Sequence, residues 1–180
     1  MPTVTVFGSA LAQPGDEEYA LALDLGRRLA ASGFRLCNGG YGGTMEAAAR
    51  GAREARGTPA GTIGVTCELF GQRSANPWID DVHPSHTLFE RIEHLVALGD
   101  AYIVLPGGTG TLLELAAVLE LTAKGLVVPR PIILLGDYWG TVVDLALKAT
   151  SIARGLRPTV VSSVEECVTT LGTLLRGDRR

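Results

Sequence analysis

The chain has 180 residues and a formal net charge of −3, and 46% of its residues are hydrophobic against 19% charged. A chain of this length and composition can bury a sizeable core, so we expect one folded domain over residues 1–180 rather than disorder. The small negative charge and the lack of a Lys- and Arg-rich stripe argue against nucleic acid as a partner.

Three further features concern the compartment. No apolar run approaches the about 18 residues of a membrane-spanning helix. The first residues have neither the basic start nor the long apolar stretch of a signal peptide. The cysteines, Cys37, Cys67 and Cys167, are scattered and odd in number, which favours buried thiols over disulfides. These patterns predict a cytoplasmic protein without a membrane partner.

Strand and helix patterns alternate along the chain. Apolar runs typical of strands lie at residues 3–7, 34–40, 61–66, 101–105, 131–136 and 159–161. Helical patterns lie at 16–33, 41–55, 87–99, 138–150 and 164–176, and after the glycine-rich segment 106–111. Asp16 is a candidate N-cap, Gly33 follows the end of the first helix, and Thr87 with Glu90 has the form of a capping box. Residues 68–83 are polar and irregular and could form a lid.

The order of these elements predicts the fold class. Strands without polar alternation, separated by helices, are typical of a parallel sheet covered on both faces. We therefore expect an α/β fold with a single doubly wound parallel sheet, in which ligands bind outside the carboxyl ends of the strands. Four of the five segments at that edge are rich in glycine; the five are 8–9, 38–43, 66, 106–111 and 136–137.

The segment 106–111 joins a strand to a helix and reads Pro-Gly-Gly-Thr-Gly-Thr. The first amides of a helix lack partners within it, and glycines let a phosphate approach them closely, so the segment predicts a phosphate site. The alternative is a tight turn in which glycines supply positive φ angles. The lysine of a P-loop and the G-x-G-x-x-G pattern are both absent, so ATP hydrolysis and hydride transfer have no support.

Two charged residues accompany this segment. Glu114 lies about one helical turn after Thr111, where it could face the sugar of a nucleotide and stabilise positive charge at the anomeric carbon. It could equally complement the helix dipole. Arg91 could bind a phosphate, hold a carboxylate, or be an exposed arginine in an i,i+4 pair.

These residues resemble a known family. Pro106 to Glu114 fits the P-G-G-x-G-T-x-x-E signature of the Lonely Guy (LOG) family, long labelled lysine decarboxylase-like. Arg91 lies in a segment similar to the family's E-R-K-x-x-M…D-A sequence, which runs into the same signature. Residues 39–52 resemble its second glycine loop, and residues 4–10 its first strand and Gly-Ser turn. The resemblance covers about residues 3–150.

The resemblance implies a dimeric, Rossmann-like hydrolase that needs no cofactor or metal. Its activity would be cleavage of the N-glycosidic bond of a nucleoside 5′-monophosphate to free base and ribose 5-phosphate, with a cytokinin as the base in LOG itself. By the same resemblance, Arg91 and Glu114 are the catalytic pair. The substrate-binding residues are Gly8, Ser9, Gly42, Gly43, Met45, Pro106, Gly107, Gly108, Thr109, Gly110 and Thr111.

Departures from the family pattern keep a second function open. Ile92 replaces the lysine that usually follows the arginine, Leu113 replaces a glutamate, and Glu46 stands where the second loop usually has glycine. These changes suggest a divergent branch, and related branches include a molybdenum cofactor carrier. The alternative is therefore a non-catalytic carrier of a nucleotide or of the molybdenum cofactor. Lysine decarboxylation is rejected, because Lys124 and Lys148 both have the pattern of surface residues.

The remaining polar and aromatic residues point less clearly to function. His83 and His86, with Asp80 and Asp81, favour loop and capping chemistry over a metal site. Ser9 lacks the surroundings of a nucleophile, so hydrogen bonding to a ligand is the better hypothesis. Trp78 and Trp139 could stack on a base or belong to a core or dimer interface. The helix after residue 111 is apolar on most of its circumference, which favours a partner subunit and a homodimer.

Overall fold

A computed structural model describes residues 1–55, 61–71, 74–149 and 157–177. In these ranges the strands are β1 Thr3–Phe7, β2 Arg35–Asn38, β3 Thr62–Cys67, β4 Asp81–Ser85, β5 Ala101–Val104, β6 Ile132–Leu135 and β7 Thr159–Val161. The helices are α1 Glu17–Ala31, α2 Thr44–Glu54, α3 Leu88–Leu98, α4 Thr109–Ala123, α5 Gly140–Ala149 and α6 Val164–Gly177. One turn of 3₁₀ helix, Glu68–Phe70, follows β3.

The described strands form one parallel sheet in the order β4-β3-β2-β1-β5-β6-β7. The chain builds outward from β1 in one direction as far as β4 and then in the other direction from β5. The reversal falls between β1 and β5, which pair from Val4 with Ala101 to Phe7 with Val104. Connections diverge there, so a crevice opens at the carboxyl ends of these two strands. The predicted fold class is confirmed.

The sheet is buried on both faces. Alternate strand residues point to opposite sides, so Val6 and Ile103 pack beneath α1, α2 and α6, whereas Phe7 and Val104 pack beneath α3, α4 and α5. Trp139 belongs to the second cluster, and its indole nitrogen donates a hydrogen bond to the carbonyl of Leu105 at 2.8 Å. Of the roles considered for Trp139, the structure selects the core.

One strand contradicts the sequence prediction. Residues 81–83 were expected to be irregular, but Asp81–Ser85 forms β4, which pairs with β3 at the edge of the sheet. An edge strand has a neighbour on one side only, so it does not need the continuous apolar run of a central strand. Its half-exposed Asp81 and His83 and its Pro84 are typical of an edge, and they concealed the strand.

Several helix ends also differ from expectation. Asp16 occupies the N-cap position of α1, but its carboxylate accepts a hydrogen bond from the Gln13 amide and does not cap the helix. The second helix begins at Thr44 rather than at Tyr41, because Gly43 has a φ of 69°. Thr87 caps α3 by accepting from the Glu90 amide at 3.1 Å, as the sequence predicted.

Other expectations on the fold have the following outcomes. Gly33 follows α1 with a φ of 81°, as predicted for the residue after a helix end. The predicted helix 138–150 begins at Gly140, and its predicted end at Thr150 lies outside the described residues. All three cysteines are free and buried. Lys124 and Lys148 are exposed. None of the described helices is both long and apolar enough to cross a membrane.

Candidate functional site

A cleft of about 370 Å³ opens above the carboxyl ends of β1 and β5. This volume is in the range of small-molecule sites, which is roughly 300–1,000 Å³. The walls are the β1–α1 loop, the glycine loop before α2, the start of α3 and the start of α4. Nine of the predicted site residues line it: Gly8, Ser9, Met45, Arg91, Gly108, Thr109, Gly110, Thr111 and Glu114.

The start of α4 forms one side of the cleft. Gly108 is the N-cap, and the first turn of the helix contains no acidic residue. The first amides have no partner within the helix and carry the positive end of its dipole. A side-chain carbon added at Gly108 or Gly110 would meet no atom within 4 Å, so both glycines border open space. This side of the cleft can therefore accept a phosphate.

Gly107 has a different role from its neighbours. A side-chain carbon there would lie 2.2 Å from the hydroxyl oxygen of Thr111. Gly107 therefore allows Thr111, which is 3% exposed, to fold back over the loop. Gly107 supports the turn and does not line the cleft.

The β1–α1 loop is joined to the start of α2. The carbonyl of Ser9 accepts hydrogen bonds from the Thr44 amide at 2.8 Å and from the Thr44 hydroxyl at 3.0 Å. An added carbon at Gly8 would lie 2.4 Å from the Thr44 hydroxyl oxygen, and one at Gly43 would lie 2.3 Å from the Ser9 carbonyl oxygen. Gly8 and Gly43 are thus needed where the two segments approach closely. The Ser9 hydroxyl accepts from the Leu11 amide at 3.1 Å.

Arg91 and Glu114 form a buried ion pair at the floor of the cleft. Arg91 Nη1 lies 3.3 Å from Glu114 Oε1, and the two side chains are only 7% and 13% exposed. Arg91 Nε donates a second hydrogen bond to the carbonyl of Val65 at 2.8 Å. The structure therefore excludes the interpretation of Arg91 as an exposed arginine, and of its remaining alternatives it shows contact with a carboxylate.

Burial changes the ionisation of Glu114. Its loss of hydration raises the pKa of the carboxyl to about 7, and the positive charge of Arg91 and their hydrogen bond only partly oppose that rise. A carboxyl with a pKa near 7 exchanges its proton readily at neutral pH and is suited to general acid–base chemistry. Glu114 lies on α4 behind the open amides, where the sequence placed it.

Two aromatic residues that the sequence analysis did not select also line the cleft. Tyr41 and Phe70 place their ring centroids 5.8 and 5.6 Å from the Arg91 guanidinium carbon. Tyr41 comes from the second glycine loop, and Phe70 from the 3₁₀ turn Glu68–Phe70 that follows β3. The sequence around Phe70 has no motif that indicates a site residue, although residues 68–83 as a whole could form a lid.

Four predicted site residues do not line the cleft: Gly42, Gly43, Pro106 and Gly107. Gly43 and Gly107 act at close contacts beneath the cleft, as described above. Leu88 at the start of α3 and Leu113 on α4 line the cleft and were not predicted as site residues. Both are apolar, and an apolar residue at helical spacing does not distinguish a cleft from a core.

The histidines of the 80–86 segment pair with carboxylates. His83 Nε2 lies 3.2 Å from Asp81, and His86 Nδ1 lies 2.9 Å from Glu68. Asp80 accepts hydrogen bonds from the amide of Thr62 and from Arg53. Trp78 is half-buried, with the Arg50 guanidinium carbon 5.7 Å from its ring centroid. None of these residues lines the cleft.

Comparison with known proteins gives a family and several relatives. The model of the SLOG cluster4 family matches residues 1–155. The chain is 36% identical over 138 residues to the cytokinin riboside 5′-monophosphate phosphoribohydrolase of Rhodococcoides fascians, covering 75% of this chain and 68% of the relative. It is 37% identical over 101 residues to the protein of that name from Mycobacterium tuberculosis, covering 55% of this chain and 52% of that one.

Solved structures have the same fold. The molybdenum cofactor binding protein of Rippkaea orientalis superposes with a TM-score of 0.77 at 26% identity, covering 97% of each chain. The molybdenum cofactor carrier protein of Chlamydomonas reinhardtii gives 0.75 at 23% identity, covering 97% of this chain and 98% of the other. From its match over residues 1–155 and its similarity to the phosphoribohydrolases of the Lonely Guy family, the chain belongs to the SLOG cluster4 family.

Proposed function

We propose that this protein is a phosphoribohydrolase that cleaves the N-glycosidic bond of a nucleoside 5′-monophosphate. The observation that carries the proposal is Glu114, buried against Arg91 behind the open amides of α4. A phosphate on those amides places the attached ribose toward Glu114. The two relatives described above, which are named for this reaction, support the same activity.

The proposed chemistry needs only the chain, the nucleotide and water. The phosphate binds the amides of the first turn of α4, together with the hydroxyls of Thr109 and Thr111. As the bond between base and sugar breaks, its electron pair leaves with the base, and positive charge develops at the anomeric carbon. The ionised Glu114 stabilises that charge and accepts a proton from the water that forms the new C–O bond. The base takes up a proton from solvent as it leaves, and Glu114 then releases the proton it accepted from water to solvent, which restores the ionised carboxylate.

Arg91 supports this chemistry through Glu114. Its Nε is bonded to the Val65 carbonyl and its Nη1 to Glu114, so its charge acts mainly on the carboxyl. Without that charge a carboxyl so deeply buried would be protonated at neutral pH. Arg91 therefore keeps part of the Glu114 population ionised.

Base release from nucleotides tests the proposal directly. The protein is incubated with AMP, GMP, CMP, UMP and an N6-substituted AMP of the cytokinin type, and free base and ribose 5-phosphate are measured by chromatography. We expect release from at least one monophosphate and none from the matching nucleoside, which lacks the phosphate. Glu114→Gln should reduce the rate roughly 100-fold or more.

Glu165→Gln is the control, because Glu165 is an exposed carboxylate on α6, which covers the opposite face of the sheet from α4. Its rate should equal that of the wild type. If no monophosphate yields base, or if Glu114→Gln is as active as Glu165→Gln, the proposed reaction is wrong.

A second candidate function is carriage of a phosphorylated cargo without turnover. The similarity to the Rippkaea orientalis protein favours it, because that protein is described as binding the molybdenum cofactor and covers 97% of this chain. The open amides of α4 suit the phosphate of a nucleotide and that of the molybdenum cofactor alike. Tight retention of a nucleotide or cofactor that survives Glu114→Gln, with no base released, would favour the carrier.

The proposal includes a homodimer in the cytoplasm. An apolar groove of about 200 Å³ runs between α4 and α5 and is lined by residues that include Leu112, Leu115, Val142 and Val143. Leu112 and Val142 are 37% and 40% exposed in the chain by itself. A second copy packed on this face would cover them. The three buried free thiols are consistent with a reducing compartment.

A further inference from the structure

Gly39 leaves room for the Arg91 guanidinium. A side-chain carbon at residue 39 would lie 1.9 Å from Arg91 Nη2 and 2.6 Å from the sulfur of Met45. Gly39 is not among the glycines with positive φ, so its backbone conformation is open to alanine. The obstacle is therefore the arginine and the methionine, whose flexible ends can move. A residue larger than glycine at this position would displace Arg91 without breaking the turn.

Tyr41 forms a second side of the same enclosure and is itself held in place. Its hydroxyl accepts a hydrogen bond from the Cys67 amide at 2.8 Å and donates one to the Cys67 carbonyl at 3.2 Å. Both bonds anchor the ring to the carboxyl end of β3. Arg91 Nε is bonded to Val65 on the same strand. The ring and the guanidinium are thus positioned from one rigid element.

Phe70 completes the enclosure from the 3₁₀ turn. Its ring centroid lies 5.8 Å from that of Tyr41, and the two ring planes are inclined by 53°. Both rings lie within 6 Å of the guanidinium carbon, which is the range in which a cation is attracted to an aromatic face. The guanidinium therefore occupies a corner between two touching rings, with the Gly39 backbone close to Nη2.

We propose that Gly39, Tyr41 and Phe70 are positioning residues that hold the Arg91 guanidinium against the Glu114 carboxylate. The three come from two segments outside the P-G-G-x-G-T-x-x-E signature, and they act on the reacting group through Arg91. The inference deepens the proposed function and rests on it for its effect on catalysis. Its effect on Glu114 itself is independent of any substrate.

The Arg91 charge is the dominant partner of Glu114. Besides Arg91 on α3, the Cys37 thiol on β2 also interacts electrostatically with Glu114. Burial raises the pKa of Cys37 to about 12, so this thiol is neutral at the pH values of interest. Moving Arg91 away therefore removes the main influence that lowers the Glu114 pKa, and that pKa should rise.

The test measures the Glu114 pKa in the free protein by carbon-13 NMR of labelled glutamate carboxyls, with the signal assigned by Glu114→Gln. Gly39→Ala, Tyr41→Phe and Phe70→Leu should each raise it by about half a unit or more. Tyr41→Phe keeps the ring and removes only the anchor to Cys67. Arg91→Met should raise the pKa further and sets the upper limit. Gly140→Ala is the matched control, because its added carbon meets no atom within 4 Å and its φ is not positive.

The outcomes separate this inference from the proposed function. A Glu114 pKa unchanged in Gly39→Ala, Tyr41→Phe and Phe70→Leu, in variants whose circular dichroism matches the wild type, would overturn it. So would an unchanged pKa in Arg91→Met. If the wild type releases base, all three positioning variants should lower kcat several-fold and leave KM within about twofold. If it releases none, the NMR shifts still decide the role of the three residues.

Discussion

Arg91 Nη1 lies 3.3 Å from Glu114 Oε1. Arg91 is on α3 and Glu114 is on α4, and strand β5 lies between these two helices in the sequence. The two residues meet because α3, which precedes β5, and α4, which follows it, pack on the same face of the sheet. This arrangement puts a cation and a carboxyl at the point where the strand order reverses. It is the geometry from which the proposed chemistry follows.

The first prediction concerns the pH dependence of base release. Glu114 acts in its ionised form in the proposed reaction, and its pKa is about 7. The kcat/KM should therefore rise with pH through about 7 and level off above it. This limb should be missing from the residual activity of Glu114→Gln. A rate that falls as the pH passes 7 would show that the protonated carboxyl is the active form and would contradict the role assigned here.

The second prediction concerns stability. The folded-state pKa of Glu114 is raised from its ordinary 4.5 to about 7, so the folded chain holds a proton that the unfolded chain has lost between these values. The free energy of unfolding should therefore fall as the pH rises from 4.5 to 7, and this contribution should be constant above 7. At about 1.4 kcal/mol per pKa unit, the shift from 4.5 to about 7 corresponds to a contribution on the order of 3 kcal/mol.

Urea unfolding of wild type and Glu114→Gln at pH 5 and pH 8 measures this effect. The free energy of unfolding of Glu114→Gln minus that of the wild type should be larger at pH 8 than at pH 5. Equal differences at the two pH values would mean that Glu114 titrates at an ordinary pKa in the folded protein.

The third prediction separates two glycines of the loop before α4. Gly110→Ala should raise the KM for the nucleotide about tenfold, equivalent to about 1.4 kcal/mol, because the methyl group enters the space next to the phosphate. The same change should leave stability unchanged or raise it by roughly 0.4–1 kcal/mol, because alanine restricts the unfolded chain.

Gly107→Ala should instead lower the stability and change the KM for the nucleotide less than Gly110→Ala does. Its methyl would overlap the Thr111 hydroxyl, and overpacking of this kind costs about 1–3 kcal/mol. Thermal unfolding together with nucleotide titration tests both variants. If Gly110→Ala binds nucleotide as tightly as the wild type, the phosphate does not lie on these amides.

The fourth prediction concerns the proposed dimer. A charge at Leu112 would be buried against the second copy, so Leu112→Glu should convert the dimer to a monomer in light scattering. Val82→Glu is the control, because Val82 is 48% exposed on β4, at an edge of the sheet away from α4. A wild type that is monomeric at all concentrations, or a Leu112→Glu variant that stays dimeric, would place the interface elsewhere or exclude it.

The sequence predicted the central part of the fold, because buried parallel strands are continuous apolar runs and their helices have clear periodicity. β4 escaped detection because an edge strand tolerates Asp81, His83 and Pro84. The loop before α4 was recognised as a candidate phosphate site because local chemistry decides whether helix amides are accessible. What the loop binds stays a prediction, which the experiments above address.

Side-chain contacts between segments that are far apart in the chain could not be predicted from the sequence. Arg91 could have paired with a phosphate, a carboxylate or a neighbour on its own helix, and only the packing of α3 beside α4 selects Glu114. The enclosure by Tyr41 and Phe70 depends on where the chain after β3 turns back. In the sequence, Gly39 and Gly43 are both simply glycines of one loop. In the structure, Gly39 makes room for the Arg91 side chain, and Gly43 makes room for the Ser9 carbonyl.

The most direct test of the whole account is a crystal structure of Glu114→Gln, which should cleave slowly, with a nucleoside 5′-monophosphate bound. If the proposed reaction is right, the phosphate oxygens will lie within hydrogen-bonding distance of the amides of residues 109–111, with the anomeric carbon beside the side chain of residue 114. A phosphate bound away from the start of α4, or a ribose turned away from residue 114, would contradict it.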